Sequence, residues 1–579
     1  MHTSKVTEET KAKVATLLNK VVATDQNGTW FFRSDTGTGK TTGFIEAVEN
    51  YGLDVAIAVP TTEDVDNVYK AFIDMGHPAV MKWYVGSGTV KEDAKFSKVV
   101  IGTHKWLLGD ANPTGHTGKN RLLIIDEVPN DITAIDLKGS DVIRAREVAE
   151  AYNLKSVGSF LKLEDWVQDQ LASDDVRPSY EKMEYRPSKS STSLADVEKE
   201  ILKKVDREED KKAIRKVTTL LEAAKDGRAY KCKVRNTSTG GFQVLFACFK
   251  FCNQWFDKQV IFSATSHLDG FQFHKDKDRL LDVDGVLVDY SNLKFTHVPW
   301  PKLDKYIPKI VGNRAMRQLA TDHIKSMFDL GSGTTLVVVP KLIKTDVAYS
   351  LNASQEDGQG AHEGMFQGRK VYVTNWGRDV GSNAYRECET VILWSNLYKP
   401  KHTTFSELLA RNEERVNDHN LSEVEGGRFT GRPKGLQQGQ LLAGIKQMGC
   451  RGTARNVDDN GICAPMHLIM SWDGLEEAQL KGIFPNLQYR THTPTEDRLK
   501  PRVTSKQPVP QKVLHTLKEK YHDRVEVSLQ EVCTWIPNAK KHTKKFAECN
   551  DMFKMHGWEF IPTVKGRYGE PAKFVGKGF

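Results

Sequence analysis

One stretch constrains this chain more than any other: Trp30-Phe31-Phe32-Arg33-Ser34-Asp35-Thr36-Gly37-Thr38-Gly39-Lys40-Thr41-Thr42. It reads as a short apolar strand, a glycine loop and a helix start. Gly37 and Gly39 let the backbone turn tightly and bring its N–H groups close to an anion. Lys40 can reach the β- and γ-phosphates of a nucleotide, and the Thr41 hydroxyl can hold Mg²⁺. The helix that follows points its positive end at the same phosphates. Ser34, Asp35, Thr36, Gly37, Thr38, Gly39, Lys40, Thr41 and Thr42 are therefore the expected cradle, with Ser34 where G-x-x-x-x-G-K-[ST] has its first glycine. Taken alone, the loop says that a nucleotide binds and not what for.

An amphipathic helix over 7–24 leads into this strand. Beyond the loop, 54–60, 98–104 and 121–127 read as buried strands. Apolar runs separated by helices and ending in polar residues are the pattern of a parallel α/β sheet. Ligands gather at the carboxyl ends of such strands. The third strand ends in Asp126-Glu127. As partners of Lys40 they make a hydrolysis site, Asp126 holding Mg²⁺ and Glu127 positioning or deprotonating the attacking water. Residues 130–228 differ: they are charge-rich and mostly helical, and read as an insertion. A hairpin is expected from 229–234 and 242–246. The sheet resumes at 259–265, ending in Ser263-Ala264-Thr265. A second α/β pattern begins near 310, with a helix over 315–330, strands at 334–340, 370–374, 390–394 and 467–472, and a helix through 440–447.

A chain of 579 residues exceeds one core, and about three or four domains are expected. No apolar run approaches the roughly 20 residues of a membrane span, and the N-terminus lacks an apolar signal segment. The expected location is the cytoplasm, or the host cytoplasm if the protein is viral. The eight cysteines include no C-x-x-C pair and read as reduced thiols. Residues 491–510 form a polar, proline-bearing linker. In 511–579 a helix over 513–521, a second capped by Ser528, a third over 539–555 and a hairpin over 558–574 give the layout of a winged helix. This tail holds thirteen lysines and arginines against eight acids, so it carries most of the chain's net +8. Lys540, Lys541, Lys544 and Lys545 lie at helical spacing, with Lys565 and Arg567 at the wing tip, an arrangement suited to duplex binding.

In their order, Ser34 to Thr41, then Asp126-Glu127-Val128-Pro129, then Ser263-Ala264-Thr265, these motifs resemble those of the superfamily 2 helicases, the DEAD/DEAH-box-like group. Val59-Pro60-Thr61-Thr62 is similar to that family's motif Ia, and Gly102-Thr103-His104 to its next nucleic-acid contact motif. Thr374-Asn375 through Gly381-Ser382-Asn383 is similar to motif V. Gln447-Met448-Gly449-Cys450-Arg451-Gly452-Thr453-Ala454-Arg455 resembles motif VI, with Cys450 in place of a glycine and Arg455 one residue later than the pattern.

The resemblance implies two tandem RecA-like P-loop NTPase domains: 1–129 with 229–290, and 291–490, carrying the helical insertion 130–228 and the small α+β winged-helix-like domain 511–579. It implies ATP and Mg²⁺ in the cleft between them. The catalytic set would be Lys40, Asp126 and Glu127 from one side, and Gln447, Arg451 and Arg455 from the other. Either Arg451 or Arg455 would be the arginine finger. Ser263 and Thr265 would couple hydrolysis to a strand held by Thr61, Thr103 and Thr374. The expected activity is that of an ATP-dependent DNA helicase or translocase in replication, recombination or repair, with nucleic acid as partner and replication or repair proteins on the insertion. RNA helicase, viral packaging ATPase and ATP-switched origin-binding or regulatory protein are the alternatives.

Overall fold

Strands buried on both faces need helices on both sides, and the sequence supplies them in alternation. All five residues of Val55–Val59 are buried, as are four of the five in Leu122–Asp126. The computed structural model describes residues 5–77, 80–83, 97–104, 121–127, 134–171, 179–183, 194–235, 242–249, 257–268, 280–299, 314–357, 360–377, 385–395, 399–412, 414–425, 428–471, 476–493, 509–536, 539–563 and 571–576. Residues 1–500 form one compact unit and 501–579 a second. No helix among the described residues is long and apolar enough to cross a membrane.

The first lobe of the larger unit is a seven-stranded parallel sheet. Its order is Leu280–Asp284, Gly28–Arg33, Lys258–Phe262, Leu122–Asp126, Val55–Val59, Val99–Thr103, Val80–Trp83. Helices Lys5–Ala23 and Lys40–Tyr51 cover one face, where Val14, Leu18, Phe44 and Val48 pack with Trp30, Phe32 and Phe262. This order sets three carboxyl ends side by side, those of Gly28–Arg33, Lys258–Phe262 and Leu122–Asp126. The glycine loop, the Ser263 turn and Asp126-Glu127 therefore emerge together.

The second lobe is an eight-stranded sheet. Six strands run parallel: Arg369–Asn375, Thr335–Val339, Thr390–Trp394, Met466–Ser471, Leu293–His297 and Gln488–Thr491. Gln355–Glu356 and His362–Phe366 add an antiparallel edge. The expected helix through 440–447 is part of a longer one, Gly431–Gly449, that ends just before Arg451. Under this sheet, Trp394 Nε1 donates to Nδ1 of the buried His323 at 3.1 Å. Burial pushes His323 down to about 3. The unfolded chain takes up a proton below its ordinary value near 6.5, and the folded one does so only near 3. Stability contributed by the neutral ring is full above pH 6.5 and falls by about 1.4 kcal/mol per pH unit below it. Acid melts of a His323→Gln variant should have a shallower slope between pH 6 and 4 than wild type, by up to one proton; parallel slopes would refute this.

The insertion differs in part from expectation. Residues 130–228 are mostly helical, as expected, but they also supply strands Ala134–Lys138 and Ser179–Lys182, and the 229–246 hairpin pairs with these and not with the first sheet. A four-stranded antiparallel sheet runs Ala134–Lys138, Phe242–Phe249, Ala229–Arg235, Ser179–Lys182. Four helices, Gly139–Ala151, Val157–Leu171, Leu194–Lys204 and Glu208–Lys225, build its core around Phe160, Leu163, Ile201, Val217 and Leu220. The hairpin was misplaced because its pairing partner, Ala134–Lys138, lies about a hundred residues upstream. Tyr180 and Tyr230 pack against Phe405, Leu409 and Phe429, so the insertion is fastened to helix Lys401–Arg411 of the second lobe. The Tyr230 hydroxyl donates to the His402 carbonyl and lies 2.7 Å from Ser406 Oγ.

The smaller unit has helices Val509–Lys520 and Leu529–Trp535, and a three-stranded antiparallel sheet in the order Glu526–Ser528, Lys573–Gly576, Trp558–Ile561. Ser528 caps Leu529–Trp535 through a reciprocal bond with Glu531, as expected. The single helix expected over 539–555 is instead three pieces, Ala539–His542, Thr543–Glu548 and Asn550–Met555. The second of the two breaks lies beside a tertiary contact. Asn550 turns its side chain onto strand Trp558–Ile561, accepting from the Phe560 N–H at 2.8 Å and donating to its carbonyl at 3.2 Å.

Candidate active site

The loop after Gly28–Arg33 turns on two left-handed glycines, Gly37 at φ +85° and Gly39 at φ +91°. Lys40 begins the next helix and is buried, its ammonium donating to the carbonyls of Ser34 and Asp35 at 2.9 Å each. Burial pushes its pKa down, against the pull of Glu127, Asp126 and Asp35. Thr41 Oγ1 donates to Asp126 Oδ2 at 2.9 Å, which joins the helix start to the end of Leu122–Asp126. Burial first, and Glu127 second, push Asp126 up to about 7, with Lys40 and the Thr41 bond opposing. His104 Nε2 donates to the Asp126 carbonyl at 2.9 Å and props the strand end from the end of Val99–Thr103, two places along the sheet.

Glu127 has a left-handed backbone, φ +65°, which is strained for a residue with a side chain. Its N–H is held by the Phe262 carbonyl at 2.9 Å. Its Oε2 is buried with no hydrogen-bond partner among the described residues. Two adjacent carboxylates, one raised and one with a bare oxygen, beside the Thr41 hydroxyl are a donor set that fits Mg²⁺. Thr41 and Asp126 would hold the ion.

The other wall comes from the second lobe. A cleft of about 590 Å³ is lined by Thr36, Gly37, Lys40, Thr41, Asp126 and Glu127 on one side, and by Arg386, Gln447, Arg451, Arg455 and Asn456 on the other. The lobes close on each other here. A Cβ on Gly37 would lie 2.1 Å from the Arg455 carbonyl oxygen. Burial pushes the Arg455 pKa down, and Glu127 and Asp126 oppose it. Burial raises the Asp64 carboxyl, the hydrogen bonds of Thr61 oppose that rise most, and Arg451 opposes it less. Of the two arginines, Arg455 is therefore the one whose charge meets the two strand-end acids.

Ser263 and Thr265 are both fully buried. The Thr265 N–H donates to Ser263 Oγ at 3.1 Å, and the Ser263 N–H donates to the Phe32 carbonyl at 3.2 Å. The turn ends at Leu268, whose carbonyl packs so closely on helix Gly431–Gly449 that a Cβ on Gly439 would lie 2.1 Å away. The turn therefore bridges the phosphate strand and the helix that leads to the arginines.

The expected strand-binding threonines fare differently. Thr374 is buried, 3% exposed. Thr61 caps helix Thr62–Asp74, its hydroxyl donating to Asp64 at 2.6 Å, and Asp64 itself faces the nucleotide cleft. Thr103 ends strand Val99–Thr103 and is half-buried. Lys540, Lys541, Lys544 and Lys545 are exposed on the smaller unit. Lys565 and Arg567 lie outside the described residues. Sequence reasoning missed Asp64, Asn67, Arg386 and Asn456 in the cleft. Nothing in their local sequence marks them: Asp64 and Asn67 are brought there by helix Thr62–Asp74, and Arg386 and Asn456 by turns of the second lobe.

Two parallel α/β lobes with a phosphate loop, paired acids and facing arginines define a nucleotide-hydrolysing enzyme of the helicase type. Residues 15–130 match the DEAD/DEAH box helicase family model. The first lobe thus carries a DEAD/DEAH box helicase domain, and the protein is an NTP-hydrolysing helicase that acts on nucleic acid. No curated protein sequence matches the chain. Among solved structures, that of S. tokodaii Xpd4 is similar at TM-score 0.50 and 13% identity, over 83% of this chain and 99% of that one. S. cerevisiae Dbp5 bound to RNA and ADP BeF3 matches at TM-score 0.36 and 10% identity, over 85% and 90%. The Escherichia coli DEAH/RHA helicase HrpB matches at 0.35 and 11%, over 82% and 43%.

Proposed function

We propose that the protein is an ATP-dependent DNA helicase or translocase serving replication, recombination or repair. The observation that carries this reading is the shared cleft, where Lys40, Thr41, Asp126 and Glu127 face Gln447, Arg451 and Arg455. ATP bound on the loop would place its β- and γ-phosphates at Lys40, and Glu127 would orient and deprotonate the attacking water. Arg455 would meet the charge that develops on the γ-phosphate only while the lobes are closed. Mg²⁺ held by Thr41 and Asp126 would neutralise phosphate charge. Opening after hydrolysis would change the spacing of the lobes, and the Ser263–Leu268 turn would carry that change to a bound strand.

DNA is preferred over RNA because the smaller unit pairs a three-stranded sheet with exposed lysines at 540, 541, 544 and 545, a winged-helix arrangement suited to duplex DNA. Steady-state ATP hydrolysis should rise at least about tenfold with single-stranded or forked DNA and less with RNA, because a strand that favours the closed cleft raises the fraction of enzyme in which Arg455 meets the γ-phosphate. Stronger stimulation by RNA would reverse the substrate assignment, and no stimulation by any nucleic acid would refute the motor.

A further inference from the structure

The phosphate loop is tied to the second lobe at a point outside the nucleotide cleft. Ser34, which stands where the loop motif has glycine, is woven into the connector between the two sheets. Its hydroxyl donates to the Val286 carbonyl at 3.0 Å and accepts from the Val286 N–H at 3.2 Å. The Asp35 N–H donates to the same carbonyl at 3.0 Å, and Asp35 Oδ2 accepts from the Val288 N–H at 2.8 Å. One carboxylate oxygen of Asp35 is thus fixed by the connector. The other, Oδ1, takes the ammonium of Lys446 at 2.9 Å, with the two side chains 6% and 3% exposed.

Lys446 lies one residue before Gln447 on helix Gly431–Gly449. Its remaining partners all belong to the second lobe. It donates to the Tyr290 hydroxyl at 2.8 Å and to the Ile483 carbonyl at 2.6 Å, and sits 4.0 Å and 4.9 Å from the ring centres of Tyr290 and Phe484. The ammonium is therefore held in place from its own lobe and presented to Asp35. The same helix meets the first lobe a second time, where Gly439 lies against the Leu268 carbonyl. The two contacts are seven residues apart, about two helical turns. Two fixed points orient a rigid rod, whereas one would leave it free to pivot.

We propose that the Asp35–Lys446 pair is a cross-cleft tether, and that Lys446 is a positioning residue which holds Gln447, Arg451 and Arg455 against the phosphates when the lobes close. The inference rests on the ATP-cleft reading above. It gives Asp35 a role that does not need contact with the nucleotide. Loop and arginine helix are registered to each other directly, so a nucleotide that shifts the loop also shifts the arginines.

The test uses the full chain and compares Lys446→Met, Asp35→Asn and the double variant with wild type. Each should be assayed for kcat and KM, for affinity towards ADP and towards ADP with aluminium fluoride, and for thermal unfolding. Asp35→Asn preserves shape and keeps an acceptor for the Val288 N–H, so it remains decisive if Lys446→Met fails to fold. Each single variant should lose about 10- to 100-fold in kcat and the same factor in affinity for the aluminium fluoride complex, with ADP affinity held within about threefold. The double variant should be no worse than the poorer single, since both substitutions remove one interaction. A kcat kept within about twofold, an equal loss for ADP and its fluoride complex, or losses that multiply in the double variant would each overturn the tether. A wild-type protein that hydrolyses no ATP with any nucleic acid would instead overturn the cleft reading itself.

Discussion

An Arg455→Ala variant should lose about 10³–10⁵-fold in kcat for ATP hydrolysis, while Arg451→Ala should lose far less. Arg455 has its backbone against Gly37 of the phosphate loop and its charge opposite Glu127 and Asp126. It is also largely withdrawn from water, where a charge acts with less screening than at the surface. Arg451 lines the same cleft and helps to draw the Asp64 carboxyl down. Nucleotide affinity should change little in Arg455→Ala, since the loop and Lys40 lie on the opposite wall. Single-turnover hydrolysis beside equilibrium nucleotide binding separates the two quantities. Equal losses in both variants, or a larger loss in Arg451→Ala, would reassign the finger.

Glu127→Gln should abolish turnover by about 10²–10⁴-fold and leave binding of ATP and Mg²⁺ nearly intact. The bare, buried Oε2 is the acceptor that a water proton requires, and an amide cannot take that proton. The substitution also removes a neighbouring negative charge that helps to raise Asp126. With Glu127 neutral, Asp126 ionises at lower pH, so the cation site is not weakened at neutral pH. A variant that binds ATP, fails to hydrolyse it and stays closed on nucleic acid is the expected phenotype. Retention of more than about a tenth of wild-type turnover would remove Glu127 from the base role.

Lys40, Thr41, Asp126, Glu127, Ser263 and Thr265 were legible because their signals are contiguous. Each is a short apolar strand followed at once by the residues that do chemistry, and a parallel sheet delivers such ends to one edge. Gln447, Arg451 and Arg455 were legible from spacing despite Cys450, whose thiol lies 3.5 Å from the Tyr290 hydroxyl in the second-lobe core. Spacing could not choose between the two arginines. That depended on which one the turn Thr453–Arg455 carries up to Gly37.

Other errors share one physical origin. The hairpin of the insertion pairs with a strand far away in the chain, and periodicity carries no information about a distant partner. The helix over 539–555 has adequate local propensity, yet it breaks at His542 and at Cys549, where the next residue, Asn550, makes two hydrogen bonds to strand Trp558–Ile561. In each case a contact from elsewhere outweighed a local preference worth a few tenths of a kcal/mol per residue.

The amino-acid order alone therefore marked the residues of one wall: a contiguous loop from Ser34 to Thr42, and a strand ending in Asp126-Glu127 that lies 85 residues beyond Thr41. It also called for two parallel sheets, since alternating buried strands and helices have few other solutions. Only packing could make the second wall meet the first. The approach of Arg455 to Gly37, the burial of Lys446 against Asp35 and the use of Ser34 as a fastening for the connector all join residues about 250 to 420 positions apart. Such contacts depend on how two finished cores fit together, and that fit is a property of their surfaces and not of any local pattern.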